Sequence, residues 1–231
     1  MTWLEKNGIK CVCFDIDGTL YDISFLNRVL FKSALSSPLF SIRYMMMRKK
    51  MRDEDGEVVL DRMDSLSFKK REMALSYPSK DEKWLPIFLE KEKKMHSSWD
   101  REYRKVRPFD NLERVFALIR KSGIRIGVLS DFPLSEKLAH LGIEPYVDFA
   151  ISAEDIGRLK PCGTCFLEIV KKASLDPSQI LYVGDSEKKD VKGAKSCNMH
   201  AALISRSANE SMADIVAKDY YEMEKILFSE V

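Results

Sequence analysis

The chain has 231 residues, enough for one sizeable core with an insertion or for two small domains that share a cleft. With 45% hydrophobic residues, 32% charged residues and a net charge of +2, it is a globular protein rather than a disordered one, and this balance gives no support to nucleic-acid binding. No apolar run approaches the roughly 18 residues of a membrane span, and the N-terminus lacks an apolar secretory segment. We therefore expect a cytoplasmic protein that binds neither membrane nor nucleic acid.

The five cysteines fit a reducing compartment better than a disulfide framework. Cys11 and Cys13 are expected on opposite faces of the first strand. Cys162 and Cys165 have the spacing of a thiol-exchange pair, but such a pair usually occurs in a thioredoxin-like fold, and a zinc site would need two further ligands. We predict that this pair is chemically inert.

The first element is an apolar strand that runs directly into two carboxylates and a glycine, Asp15, Asp17 and Gly18. Two acidic side chains at the end of a buried strand repel each other and lose hydration, so folding tolerates them only when a cation or a proton compensates. A divalent metal ion is the natural compensator. Taken alone, the motif is also compatible with a simple acidic turn.

Residues 22–105 differ from the rest of the chain. They contain few strand-like runs and many Met, Lys and Glu residues, with helical spacing at Phe25, Val29 and Leu30. This segment has a net charge of +5, which leaves −3 for the remainder. We predict a helical insertion. The segment contains a run of basic residues, Arg43, Arg48, Lys49, Lys50 and Arg52. Two interpretations of this run are open: it contacts an anionic substrate or a partner, or it forms a solvated helix face.

From about Val106 onward, apolar runs alternate with amphipathic stretches, a pattern that predicts parallel βα units. The predicted strands are 124–129, 149–152, 180–183 and 200–204. One predicted helix begins near Leu112, and four more are predicted at 134–141, 164–173, 190–196 and 220–228. Polar residues at or just beyond the carboxyl ends of such strands converge on one crevice. Here they are Asp15, Asp17, Ser130, Lys160, Asp185 and Asp190.

These residues, in this order, resemble the four motifs of the haloacid dehalogenase superfamily: 15–19, Ser130, Lys160-Pro161 and 184–190. The resemblance runs from Cys11 to Phe228 and implies an α/β fold, a Rossmann-like core with a parallel sheet at 1–21 and 106–231. The insertion at 22–105 occupies the place of the superfamily's α-helical cap. The short stretch between Ser152 and Lys160 leaves no room for the alternative, larger cap.

The resemblance also implies a role for each site residue. Asp15 is the nucleophile that forms an aspartyl phosphate, and Asp17 protonates the leaving oxygen and then activates water. Mg²⁺ is bound by Asp15, Asp17 through its backbone carbonyl, and Asp185. Phosphate is held by Gly18, Thr19, Ser130, Asp131 and Lys160. Thr19 also orients Asp17, and Asp190 assists through Lys160 or a water on the metal.

We therefore predict a Mg²⁺-dependent phosphatase that hydrolyses a small phosphorylated metabolite, as a monomer or a homodimer. A phosphomutase and a nucleotide 5'-phosphatase are alternatives within the superfamily, and a non-catalytic binding protein is the alternative from another class. The superfamily's dehalogenases lack a carboxylate at the place of Asp17, which argues against carbon–halogen cleavage.

Overall fold

The computed structural model describes residues 1–24, 28, 38–77, 81–134, 136–207 and 210–230. The predicted helical spacing at Phe25, Val29 and Leu30 lies outside these residues. In the rest of the chain, the α/β architecture predicted from the sequence is confirmed.

Within the described residues, six parallel strands form one sheet in the order β3-β2-β1-β4-β5-β6. The strands are β1 Cys11–Phe14, β2 Arg125–Ser130, β3 Phe149–Ser152, β4 Ile180–Gly184, β5 His200–Ile204 and β6 Ile215–Ala217. The strand order reverses beside β1, which pairs with both β2 and β4. Ligands of open α/β sheets bind at the carboxyl ends of the strands at such a point.

The helices of the described residues are α1 Trp3–Lys6, α2 Pro38–Asp55, α3 Ser65–Ser76, α4 Leu85–Tyr103, α5 Leu112–Lys121, α6 Lys137–His140, α7 Ala153–Ile156, α8 Gly163–Ala173, α9 Lys192–Ser196 and α10 Tyr220–Phe228. Short 3₁₀ turns cover Glu82–Trp84, Glu144–Tyr146 and Pro177–Gln179, and a π-helical turn covers Glu187–Val191. The π-helical turn replaces the first part of the helix predicted at 190–196.

Alternating side chains of β1 divide the core into two apolar clusters, one on each face of the sheet. Val12 and Phe14 belong to the cluster that includes α5 and α10, and Cys11 and Cys13 belong to the other. The prediction that the two cysteines lie on opposite faces is wrong, because residues two apart in a strand point to the same side. All four β1 residues are completely buried, as a central parallel strand requires.

Helices α2, α3 and α4 form the described part of the predicted insertion. Asp64 accepts a hydrogen bond from the Ser67 amide to cap α3, and Pro86 stands in the first turn of α4, where its missing amide proton costs nothing. Buried residues of these helices, such as Met51 and Phe68, share one apolar cluster with the β1 cysteine face. No helix among the described residues is long and apolar enough to cross a membrane.

Candidate active site

Asp15 and Lys160 form the centre of the site at the carboxyl end of β1. The Asp15 amide donates to the Val183 carbonyl at 2.9 Å, which fixes the residue beside the end of β4. Its Oδ1 lies 2.6 Å from Lys160 Nζ, and the same ammonium contacts Asp190 Oδ1 at 2.7 Å and Tyr182 Oη at 3.1 Å. Lys160 is completely buried. The predicted contact between Asp190 and Lys160 is therefore present.

Three carboxylates face one another where β1 and β4 end. Oxygens of Asp15, Asp185 and Asp190 all lie within 4.8 Å of one another, and Asp185 Oδ1 is buried without a hydrogen-bond partner among the described residues. A Cβ atom on Gly18 would lie 2.3 Å from Asp185 Oδ2, so only glycine leaves room for this carboxylate. Oxygen-only ligation with an unpartnered carboxylate fits Mg²⁺.

The pKa shifts of these side chains show that the three carboxylates need further positive charge. Burial raises the pKa of Asp15 to about 7, although Lys160 opposes the shift, and burial together with Asp190 raises the pKa of Asp185. Burial alone would lower the pKa of Lys160, but Asp15 and Asp190 hold it well above its usual value. Lys160 and the nearby Lys189 thus do not fully compensate the carboxylates of Asp15, Asp185 and Asp190, and a divalent cation would.

Asp17 lies among a separate group of polar side chains. Lys137 Nζ lies 3.0 Å from both of its carboxylate oxygens, Tyr21 Oη donates to Oδ1 at 2.6 Å, and Ser130 Oγ donates to Oδ2 at 3.2 Å. Burial opposes ionisation, yet Lys137 and these hydrogen bonds hold the pKa of Asp17 below its usual range. Sequence reasoning missed Lys137 and Tyr21. The prediction that Thr19 orients Asp17 is wrong, because the Thr19 hydroxyl donates to Asp15 Oδ2 at 2.9 Å.

The turn after β2 joins the site to helix α2. Asp131 Oδ1 accepts the backbone amide of Lys160 at 2.9 Å, and its Oδ2 lies 2.9 Å from Arg52 Nη2. Arg48 Nη2 donates to the Asp131 carbonyl at 2.5 Å. Because a carboxylate repels phosphate, the contacts of this side chain give no support to the prediction that Asp131 binds phosphate. Arg48 and Arg52 also do not lie on a solvated face, whereas the Lys50 side chain is 62% exposed.

A cavity of about 430 Å³ opens beside the carboxylate group. Gly18 and Asp185 form part of its wall, Arg206 and Lys218 contribute from the segments after β5 and β6, and Tyr220 contributes from the start of α10. The cavity gives solvent and small molecules a route to the carboxyl end of β4.

The cysteine pair begins two residues after Lys160 in the chain. Cys162 and Cys165 are buried and not disulfide-bonded, Cys162 Sγ donates to the Val58 carbonyl at 3.3 Å, and burial raises the pKa of the Cys165 thiol well above its usual value. These contacts favour the predicted inert role.

Comparisons with known proteins identify the family. A family model for haloacid dehalogenase-like hydrolases matches residues 9–198. The chain is 27% identical over 218 residues to a glyceraldehyde 3-phosphate phosphatase from Methanothermobacter thermautotrophicus, covering 91% of this chain and 92% of that protein.

Solved structures agree. A HAD phosphatase from Thermococcus onnurineus is 25% identical with a TM-score of 0.66 and covers 96% of this chain and 99% of that one. A 2-haloacid dehalogenase from Pseudomonas syringae pv. Tomato, 22% identical with a TM-score of 0.61, covers 95% and 98% and shares the fold. The predicted phosphoric monoester hydrolase is confirmed, and the chain belongs to the haloacid dehalogenase-like hydrolase family.

Proposed function

We propose that this protein is a Mg²⁺-dependent phosphatase that hydrolyses a small phosphorylated metabolite through a phosphate ester of Asp15. The observation that carries the proposal is the carboxylate group at the switch point of the sheet. Asp15 lies 2.6 Å from the buried Lys160 ammonium and within 4.8 Å of Asp185 and Asp190. The Lys160 ammonium favours the ionised form of the nucleophile against the burial that raises its pKa, and a divalent cation held by Asp15 and Asp185 would complete the charge balance and bind phosphoryl oxygens.

In the first step, a carboxylate oxygen of Asp15 attacks phosphorus, and the bond between phosphorus and the leaving oxygen breaks. The Lys160 ammonium stays beside Asp15 and offsets the charge of the transferred phosphoryl group. The Ser130 hydroxyl, which donates to Asp17 in this structure, would donate to a phosphoryl oxygen of the substrate. Asp15, Asp185 and the Asp17 carbonyl would hold Mg²⁺, which when bound supplies further positive charge against the phosphoryl oxygens.

In the second step, water attacks phosphorus and releases Asp15 and inorganic phosphate. Asp17 is buried and, paired with Lys137, ionised, which is the state that a general base needs to take a proton from water. The proton that Asp17 takes from water is the one it delivers to the leaving oxygen in the first step of the next turnover, so proton uptake and release balance over the cycle. Splitting hydrolysis in this way replaces one difficult displacement by two easier ones.

Contacts of α2 and α4 support a cap at 22–105, because Arg48, Arg52 and Trp99 pack against the turn that follows Ser130, where Ser130 and Asp131 are buried. The named activity of the Methanothermobacter relative makes glyceraldehyde 3-phosphate the first substrate to test.

The test measures phosphate release from glyceraldehyde 3-phosphate and from a panel of sugar phosphates and nucleotides, with Mg²⁺ or EDTA. Asp15→Asn should abolish release, since an amide is not a nucleophile, and should leave the fold intact by circular dichroism. Asp61→Asn, at an exposed aspartate, is the matched control and should keep full activity. Unchanged hydrolysis by D15N would exclude Asp15 as the nucleophile, and an isomerised sugar phosphate in place of inorganic phosphate would indicate a mutase.

A further inference from the structure

Asp131 connects helix α2 to the catalytic lysine. Its two oxygens have different partners: Oδ2 lies 2.9 Å from Arg52 Nη2 on α2, and Oδ1 accepts the backbone amide of Lys160 at 2.9 Å. The Asp131 side chain is 7% exposed and the Arg52 side chain 17%. The ammonium of that same Lys160 contacts Asp15. One buried carboxylate therefore lies directly between the helical segment and the lysine beside the nucleophile.

Further contacts hold the same turn from the helical side. Arg48, one helical turn before Arg52, donates to the Asp131 carbonyl, and its guanidinium carbon lies 4.3 Å from the centre of the Phe132 ring. Trp99 of α4 packs edge-on against that ring, with the two ring centres 5.3 Å apart. Ser130 Oγ accepts the Phe132 amide at 3.1 Å and donates to Asp17. The residues that α2 and α4 hold are thus bonded directly to the site.

The pairing of Arg52 with Asp131 matters because both charges are largely removed from solvent. A buried carboxylate without a partner is costly, and a second negative group, the phosphate, has to be accommodated in the same crevice. With α2 in place, Arg52 neutralises Asp131. If α2 withdraws, the Asp131 carboxylate loses Arg52 and keeps its hydrogen bond from the Lys160 amide. Its negative charge then repels the incoming phosphate and draws water into the turn.

We propose that Asp131 and Arg52 are positioning residues that couple the seating of α2 to the order of the Ser130–Phe132 turn and of the Lys160 backbone. The proposal rests on the proposed phosphatase function. Coupling of this kind is reciprocal: a phosphate in the site favours the seated helix, and a seated helix favours phosphate binding and turnover.

The first test is a double-mutant cycle on phosphate release. Arg52→Gln and Asp131→Asn should each lower kcat by about tenfold or more, with a smaller effect on KM, because a charged buried hydrogen bond is lost at the site. The double variant should be no worse than the poorer single one. Arg52→Lys should restore part of kcat. Lys50→Gln removes the same charge from an exposed position on α2 and should leave kcat within about twofold of wild type.

A second test follows the helix without turnover. In a Trp3→Phe, Trp84→Phe background, Trp99 reports its contact with Phe132 through acrylamide quenching of its fluorescence. R52Q should raise quenching, and Mg²⁺ with inorganic phosphate should lower it in the parent protein far more than in R52Q. K50Q should match the parent.

The proposal is overturned if R52Q matches K50Q in kcat and quenching, or if the losses in R52Q and D131N multiply in the double variant. Absence of phosphate release in the wild type would instead count against the phosphatase function, and the quenching comparison would still decide whether α2 and the site are coupled.

Discussion

At the scale of single residues, the site depends on Gly18, because this position has no room for a Cβ atom. Its φ of +103° disfavours any larger residue, and a Cβ atom there would meet the carboxylate of Asp185 at 2.3 Å. Gly18→Ala should therefore push Asp185 out of place as well as strain the backbone. We expect about a hundredfold loss of phosphate release and weaker Mg²⁺ binding, measured by calorimetry.

Gly8→Ala separates these two effects. Gly8 also has a positive φ, +64°, but a Cβ atom there meets nothing within 4 Å. This variant should lose roughly 1–2 kcal/mol of unfolding free energy and keep its activity and Mg²⁺ affinity. Equal activity in G8A and G18A would show that the displaced carboxylate does not matter.

At this scale the sequence predicts some side chains and not others. Asp15 and Asp185 could be predicted because each directly follows an apolar strand, and strand ends meet in a parallel sheet. Lys137 could not, since it lies 120 residues from Asp17 in a short helix with an ordinary composition. The prediction that Thr19 orients Asp17 fails because spacing does not fix the direction of a side chain after a strand ends, and the Thr19 hydroxyl donates to Asp15.

At the scale of elements, α2, α3, α4 and α7 meet around a buried ionic cluster, which consists of Arg48, Lys69, Glu72, Glu92 and Glu154. Arg48 Nη1 lies 2.6 Å from Glu154, and Lys69 Nζ lies within 3.0 Å of all three carboxylates. Two cations face three carboxylates, so one proton balances the cluster. Burial raises the pKa of Glu72 to about 8, whereas Arg48 and Lys69 overcome burial and lower the pKa of Glu154.

This imbalance predicts a pH-dependent stability. The pKa of Glu72 is higher in the folded chain than its ordinary 4.5, so its contribution is present at acid pH and is lost as the pH rises through about 8. Glu72→Gln keeps the neutral form at every pH. The melting temperature of E72Q relative to wild type should therefore rise between pH 6 and pH 9.

Glu154→Gln is the contrasting variant, because it removes the carboxylate that pairs most closely with Arg48. It should cost roughly 3–5 kcal/mol of unfolding free energy at both pH values. If the difference between E72Q and wild type were the same at pH 6 and pH 9, Glu72 would not be the protonated member of the cluster.

The elements that the sequence predicted well are those with strong periodicity. The apolar face of α5, Leu112, Val115, Phe116 and Ile119, is buried as its spacing indicates, and the last helix has the predicted bounds. Strand β6 is not predicted, because a strand of three residues is too short to show an alternating pattern. The solvated role of the basic run fails for Arg48 and Arg52, since the sequence shows a helix's charge but not which neighbour covers it.

At the scale of the whole molecule, the sheet concentrates negative charge where its strand order reverses. Asp15 follows β1 and Asp185 follows β4, and these adjacent strands bring the two carboxylates to one edge without any local sequence signal that joins them. The resulting charge opposes folding of the metal-free protein, because burial raises the pKa of both residues. Function and stability therefore conflict at this point of the fold.

This conflict predicts opposite effects of one substitution with and without metal. In EDTA, Asp185→Asn should melt at or above the wild-type temperature, because it removes the charge of a half-buried carboxylate whose buried Oδ1 has no partner among the described residues. Mg²⁺ at about a hundred times its Kd should stabilise the wild type by about 2.7 kcal/mol, or roughly 5–10 °C, and D185N much less. Differential scanning fluorimetry measures both. Asp61→Asn should follow the wild type in both conditions, and a D185N variant that melts far below wild type in EDTA would mean that the carboxylate stabilises the fold rather than straining it.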